Sequence, residues 1–327
     1  MKRIFSVILI LALTLGLMTA CGSDPESPTT TSPAEITEPT EGVKKPVMNI
    51  YQKSDPATDN VINILMIGNS YCYYYADELV GMAAANGIKL RVCNVYSSGC
   101  PISDHYKWWK EGQSNYSFIT HDENGRTEVK GANLEFCLKQ GNWDMISLQT
   151  GTKDRLNKTP EQTLADTREQ RKELWDYIKM HFPQSKYYWH QTWTYQLGAD
   201  RYGVLWTDPS QQHEKDAEIA VIAKGVCKED GLIRIPSGPA WRIVRDGGYD
   251  NLCARLGVNG DLGDCSHDGD IGGGQYLNAC VWLEVVLGQN CIGNTWRPNY
   301  NLSEDMIAML QKAAHDAVAQ MKAEDGI

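Results

Sequence analysis

Val61-Ile62-Asn63-Ile64-Leu65-Met66-Ile67 is an almost unbroken apolar run of strand length, and it stops abruptly at Gly68-Asn69-Ser70. A run that lacks polar alternation reads as a strand covered on both faces. Gly-Asn-Ser directly behind it reads as a sharp turn that delivers a serine at the end of that strand. Further strand-like runs at 89–95, 143–149, 186–191 and 231–235 alternate with helical stretches at about 74–86, 132–140, 160–182, 210–229, 272–288 and 303–323. This alternation predicts an α/β fold, a three-layer α/β/α sandwich with a mainly parallel central sheet. Such sheets carry their sites at the carboxyl ends of the strands. Ser70, the Ser98-Gly99 loop and Gln149 all fall there. The segment 113–131, centred on Glu123-Asn124-Gly125, reads as an inserted hairpin outside this sheet.

The first twenty residues have a basic start (Lys2, Arg3), an apolar stretch from Ile4 to Leu17 and a small-residue exit before Cys21. The apolar stretch is shorter than the roughly 18 to 20 residues that cross a bilayer, so it reads as an export signal. Leu17-Met18-Thr19-Ala20-Cys21 resembles the bacterial lipobox, which implies acylation of Cys21 and a protein held outside the cytoplasm by an N-terminal lipid anchor. Residues 21–47 are rich in Ser, Thr, Pro and Glu and too poor in large apolar side chains to order themselves, so they read as a flexible tether. The rest, about Met48 to Ile327, fits one large domain. Without Lys2 and Arg3 the mature chain has 29 basic against 41 acidic residues, a net charge of -12. That balance, with no basic cluster, argues against nucleic acid as a partner. Nine cysteines besides Cys21 form no CxxC framework. Cys93 and Cys280, in apolar runs, read as small core residues.

A serine hydroxyl is a weak nucleophile near neutral pH and needs a base, which in turn needs an orienting acid. Asp264-Cys265-Ser266-His267 places an acid three positions before a histidine. Ser70, His267 and Asp264 therefore supply the three roles. A helix starting at about residue 74 would put Ser70 near a helix N-terminus, which favours a developing oxyanion.

Four blocks in order resemble the SGNH (GDSL-type) hydrolase superfamily and imply its flavodoxin-like fold. Ile67-Gly68-Asn69-Ser70 is similar to the first block, with Asn69 where aspartate is commoner. Asn94-Val95-Tyr96-Ser97-Ser98-Gly99-Cys100 is similar to the second, whose glycine offers a backbone N–H to the oxyanion. Asp264-Cys265-Ser266-His267 is similar to the last. The third block departs from Gly-x-Asn-Asp and reads Ser147-Leu148-Gln149-Thr150-Gly151. The resemblance implies an oxyanion hole of the Ser70 and Gly99 N–H groups with the Gln149 amide. Trp143-Asp144, His105 after Gly99-Cys100, and Gln191-Thr192-Trp193 are similar to an exported bacterial branch of unknown function.

His190 is a rival base, but it lies in a strand between aromatic residues and reads as a core histidine. Tyr71, His105 and Trp193 are candidate substrate-binding residues at the strand ends; core packing is the other reading of Tyr71 and Trp193, and a surface position at a helix start is the other reading of His105. The acidic loop Asp261, Asp264, Asp268 and Asp270 lacks the closing glutamate of an EF-hand, so no metal and no cofactor are expected. The sequence thus points to an extracytoplasmic serine esterase that removes acetyl or other small acyl groups from carbohydrate. A non-catalytic, glycan-binding surface lipoprotein is the reading from another class. A long-chain lipase is disfavoured by the lack of an apolar lid segment.

Overall fold

Residues of β1 (Val61–Gly68) point alternately into two separate cores. Ile64 and Met66 enter one hydrophobic cluster, Leu65 and Ile67 the other. The lack of polar alternation in this run follows from that double burial. The computed structural model describes residues 60–250 apart from 202, 203 and 206, together with residue 252 and residues 273–327. The expected signal segment 1–20, Cys21 and the tether 21–47 lie outside the described residues.

After β1 come a single 3-10 turn (Ser70–Cys72), α1 (Ala76–Ala85), β2 (Lys89–Tyr96) and α2 (Ile102–Lys110). A hairpin of β3 (Tyr116–Asp122) and β4 (Gly125–Ala132) leads to α3 (Leu134–Leu138), β5 (Met145–Leu148), α4 (Thr152–Arg155) and α5 (Pro160–His181). Next are β6 (Lys186–His190), a two-stranded ribbon of β7 (Asp200–Arg201) and β8 (Val204–Leu205), α6 (Pro209–Asp230) and β9 (Ile233–Ile235). The chain closes with α7 (Ser237–Asp246), α8 (Gly274–Val286) and α9 (Glu304–Asp325).

The seven-stranded sheet has the order β4-β3-β2-β1-β5-β6-β9. The five strands from β2 to β9 are parallel. The chain first steps from β1 to β2 and then returns to β5 on the other side of β1. With crossovers of one hand, that reversal sends the connecting helices to opposite faces. Leu79 and Met82 of α1 pack on the Ile64 face together with Trp241, Leu277, Trp282 and Leu310 of α7, α8 and α9. Leu174 and Ile178 of α5 and Ile222 and Val226 of α6 cover the Leu65 face. Cys93 and Cys280 are fully buried, one in each core.

Local chemistry sets the helix ends. Thr159 caps α5 in a reciprocal box: Gln162 N–H donates to its hydroxyl at 3.3 Å, and Thr159 N–H donates to Gln162 Oε1 at 2.8 Å. Pro160 takes the first helical position, where no N–H is required. Gly231 ends α6 in the left-handed conformation.

The hairpin corrects the reading of 113–131 as lying outside the sheet. β3 pairs antiparallel with β2 from Val92–His121 to Tyr96–Ser117. It buries Tyr116, Phe118 and Ile119, and so covers an edge of β2 that would otherwise be open. β4 is the new edge, and its exposed Arg126, Glu128 and Lys130 disfavour further pairing. Helices α2 and α7 lie outside the helical stretches expected from the sequence.

Candidate active site

The reversal of strand order falls between β1 and β5. In open parallel sheets the crevice at such a point is where ligands bind. Gly68 ends β1 there with Asn69-Ser70 directly behind it, and Gln149 is the first residue after β5. Ser70 is half-buried, whereas Asn69 and Gln149 are each 2% exposed.

Asn69 joins three segments that are far apart in sequence. Its Oδ1 accepts the Tyr71 N–H at 3.2 Å, its Nδ2 donates to the Cys100 carbonyl at 3.0 Å, and Gln149 Nε2 donates to Oδ1 at 2.8 Å. The second segment is also tied to β1 through Ser97 N–H to the Gly68 carbonyl at 3.2 Å. Gly99 adopts φ 60° in this loop, a left-handed conformation that favours glycine. On the other side a Cβ at Gly151 would stand 2.5 Å from Asn69 Nδ2, so only glycine lets the two segments close this far.

These bonds fix the orientation of the whole network. A backbone N–H only donates, so Asn69 presents Oδ1 to Tyr71. Gln149 must then turn its amide nitrogen to that oxygen, which leaves Oε1 facing His190. His190 Nδ1 lies 3.0 Å from Gln149 Oε1 and therefore carries the proton, while Nε2 lies 2.9 Å from Ser237 Oγ and accepts. Burial pushes His190 down to about 3, so the ring is neutral, as this pattern requires.

The environment of Ser70 differs in one respect from expectation. It opens a single 3-10 turn capped by Asn69, and α1 begins only at Ala76. The turn, rather than the N-terminus of α1, is its immediate backbone setting. Asp264 and His267, with the acidic loop 261–270, lie outside the described residues. Ser70, the Gly99 loop and Gln149 meet at one point through Asn69.

Trp193 takes the packing side of its two readings, and His105 is neither pocket-lining nor on the surface at a helix start: both side chains are buried. His105 is 1% exposed, stacks on Tyr116 at 5.6 Å and bonds the Tyr116 hydroxyl through Nδ1 at 2.9 Å. It sits on the inward face of α2, away from the crevice, because that face packs onto the Leu65 side of the sheet. Trp193 is also 1% exposed; it stacks on Trp241 at 4.6 Å and meets the edge of Tyr71 at 4.9 Å. It therefore supports Tyr71 from behind, and its own faces are covered. Tyr71 lines a cavity of about 440 Å³ with Thr152, Arg155 and Tyr195. The bridging role of Asn69, the His190–Gln149 bond and the cavity residues of α4 were missed from sequence. Of these, only the run of polar residues directly behind β5, Thr150 to Arg155, gave a signal.

A family model described as a domain of unknown function, DUF4886, matches residues 63–317. No curated protein matches the chain. Among solved structures, a DUF4886 family protein from Bacteroides uniformis is similar at 25% identity, covering 79% of this chain and 95% of that one, with a TM-score of 0.67. Looser similarity extends to an acetyl xylan esterase, at 13% identity over 68% of this chain and 100% of that one, TM-score 0.41. A carbohydrate esterase family 3 protein from Talaromyces cellulolyticus is similar at 10% identity over 69% and 97% of the two chains, TM-score 0.41.

Proposed function

The chain belongs to the DUF4886 family, and from the residues gathered at its topological switch point we propose that it is a serine esterase that removes small acyl groups from carbohydrate. The observation that carries this reading is the convergence on Asn69 of the Ser70 turn, the Gly99 loop and Gln149. An acyl-transfer site needs a nucleophile with oxyanion donors on the same side of the scissile carbonyl.

In the proposed mechanism His267, oriented by Asp264, takes the Ser70 hydroxyl proton as Ser70 Oγ attacks the ester carbonyl carbon. The carbonyl oxygen becomes an oxyanion, held by the Ser70 and Gly99 N–H groups and by the Gln149 amide. The C–O bond to the sugar breaks, and the alkoxide leaves with the proton from His267. Water, deprotonated by His267, then attacks the acyl-enzyme, and the second tetrahedral intermediate releases the acid and free Ser70. Gln149 Nε2 spends one hydrogen on Asn69 and keeps its second for the oxyanion. With the proposed signal and Cys21 anchor, the reaction takes place outside the cytoplasm.

The test is release of p-nitrophenol from p-nitrophenyl acetate by the protein and by its Ser70→Ala and His267→Ala variants. Turnover lost in both supports the reading; an active Ser70→Ala protein sinks it. The engagement of Gln149 with Asn69 is what favours the second reading, a glycan-binding lipoprotein without turnover. An inactive parent protein that still binds oligosaccharide would decide for it.

A further inference from the structure

The cavity beside the Ser70 turn has a chemical character of its own. Tyr71 is the residue after Ser70, and Thr152 follows Gln149 by three positions, so the cavity opens at the same sheet end as the crevice. Its volume of about 440 Å³ is that of a small-molecule site. One wall is a chain of hydroxyls: Tyr71 OH lies 3.4 Å from Thr152 Oγ1, which lies 2.9 Å from Tyr195 OH. Leu156 and Pro160 add apolar surface to the lining. Hydroxyls beside apolar patches suit the alternating OH and CH faces of a sugar ring.

The charge of the cavity runs against that of the chain. Carboxylates outnumber basic side chains 41 to 31 overall, yet the lining holds Arg155, Lys158 and Lys215 against a single Glu218. Lys215 is paired with Glu218 at 2.6 Å and Lys158 with Asp166 at 2.9 Å. Arg155 has no such partner: its Nε reaches the Gly151 carbonyl at 3.4 Å, and among the described residues no carboxylate lies within ion-pair distance. The neighbouring Asp154 is committed elsewhere, accepting the Gly151 N–H at 2.7 Å and the Ile102 N–H at 2.9 Å. Among the described residues, the two terminal nitrogens of the half-buried Arg155 therefore meet no hydrogen-bond acceptor, and their fork matches a carboxylate bidentately.

We propose that this cavity is a subsite for an acidic sugar, and that Arg155 binds its carboxylate. The substrate class is then an O-acylated glycan that contains uronic-acid units. The inference rests on the esterase reading only in calling the ligand a substrate; the binding itself stands apart from turnover.

The experiment is calorimetric titration of the Ser70→Ala full chain with a galacturonic acid trimer and with a neutral galactose trimer. The acidic trimer is expected to bind about tenfold or more tightly than the neutral one, the scale of a charge-assisted contact, and to weaken as salt is raised. Arg155→Gln should remove that preference and Arg155→Lys restore only part of it. Equal affinities for the two trimers would overturn the proposal without any variant at Arg155. An Arg155→Gln protein that keeps the preference would overturn it as well. Binding of neither trimer by a protein whose Ser70 parent hydrolyses p-nitrophenyl acetate overturns the acidic-sugar subsite and leaves the esterase reading intact. Preference for the acidic trimer in a chain whose parent is inert does the reverse.

Discussion

His190 and His105 occupy opposite faces of the sheet, each 1% exposed and each pushed by burial down to about 3. Their surroundings differ. His190 has a partner on each ring nitrogen, and through Gln149 Oε1 it is two bonds away from the turn that carries Ser70. His105 bonds only the Tyr116 hydroxyl, and its Nε2 is buried without a partner. Burial and a lowered pKa are therefore common to a histidine that organises the crevice and to one that fills a core. What separates them is the connection: one ring is tied to the strand ends at the switch point, the other to an aromatic stack under α2.

The largest effect expected on the crevice side is that of Ser70→Ala. It should reduce ester turnover by about four orders of magnitude or more and leave the urea midpoint unchanged, since a half-buried hydroxyl contributes little packing. Gln149→Ala comes next, with a loss of about 10² to 10³ in kcat, the usual cost of one oxyanion donor. A smaller loss would mean that Gln149 serves only to hold Asn69. The paired variants His190→Gln and His105→Gln address the comparison itself. His190→Gln should cost up to about a hundredfold in kcat through misplacement of Gln149, whereas His105→Gln should lower stability and leave kcat alone. Equal kcat losses in the two would erase the distinction.

The smallest effect is shared by both histidines and appears in the pH dependence of stability. Each is neutral in the fold and protonates near 6.5 when unfolded, so below pH 6.5 the unfolded chain binds more protons. Stability is then fully present above pH 6.5 and falls as pH drops toward 3, by about 1.4 kcal/mol per pH unit for each ring. Urea denaturation at pH 7, 6 and 5 measures the slope, and either Gln variant should halve the histidine contribution to it.

The strand cores were legible because double burial leaves a plain mark: β5, β6 and β9 lie within the strand-like runs at 143–149, 186–191 and 231–235, and β1 and β2 exceed those at 61–67 and 89–95 by one residue each. The edge hairpin was not, because β4 exposes all but one of its residues and nothing in its sequence says which strand β3 will meet. Asn69 and Gln149 were legible as residue types at strand ends. Their mutual hydrogen bond, and the one that reaches His190, depend on the approach of β1, β5 and β6, which no local pattern encodes. Trp193 and His105 show the converse. Side chains next to a recognisable block drew attention by position, yet the helix and loop that carry them turn them into the core.

The proposed esterase chemistry depends on Ser70 being an activated nucleophile at the switch point. The most direct measurement is labelling of the protein with a fluorophosphonate, which reacts with activated serines, followed by mass-spectrometric location of the adduct. One adduct is expected, on the peptide that contains Ser70, and none on the Ser70→Ala protein. An unlabelled protein, or an adduct on another residue, would contradict it.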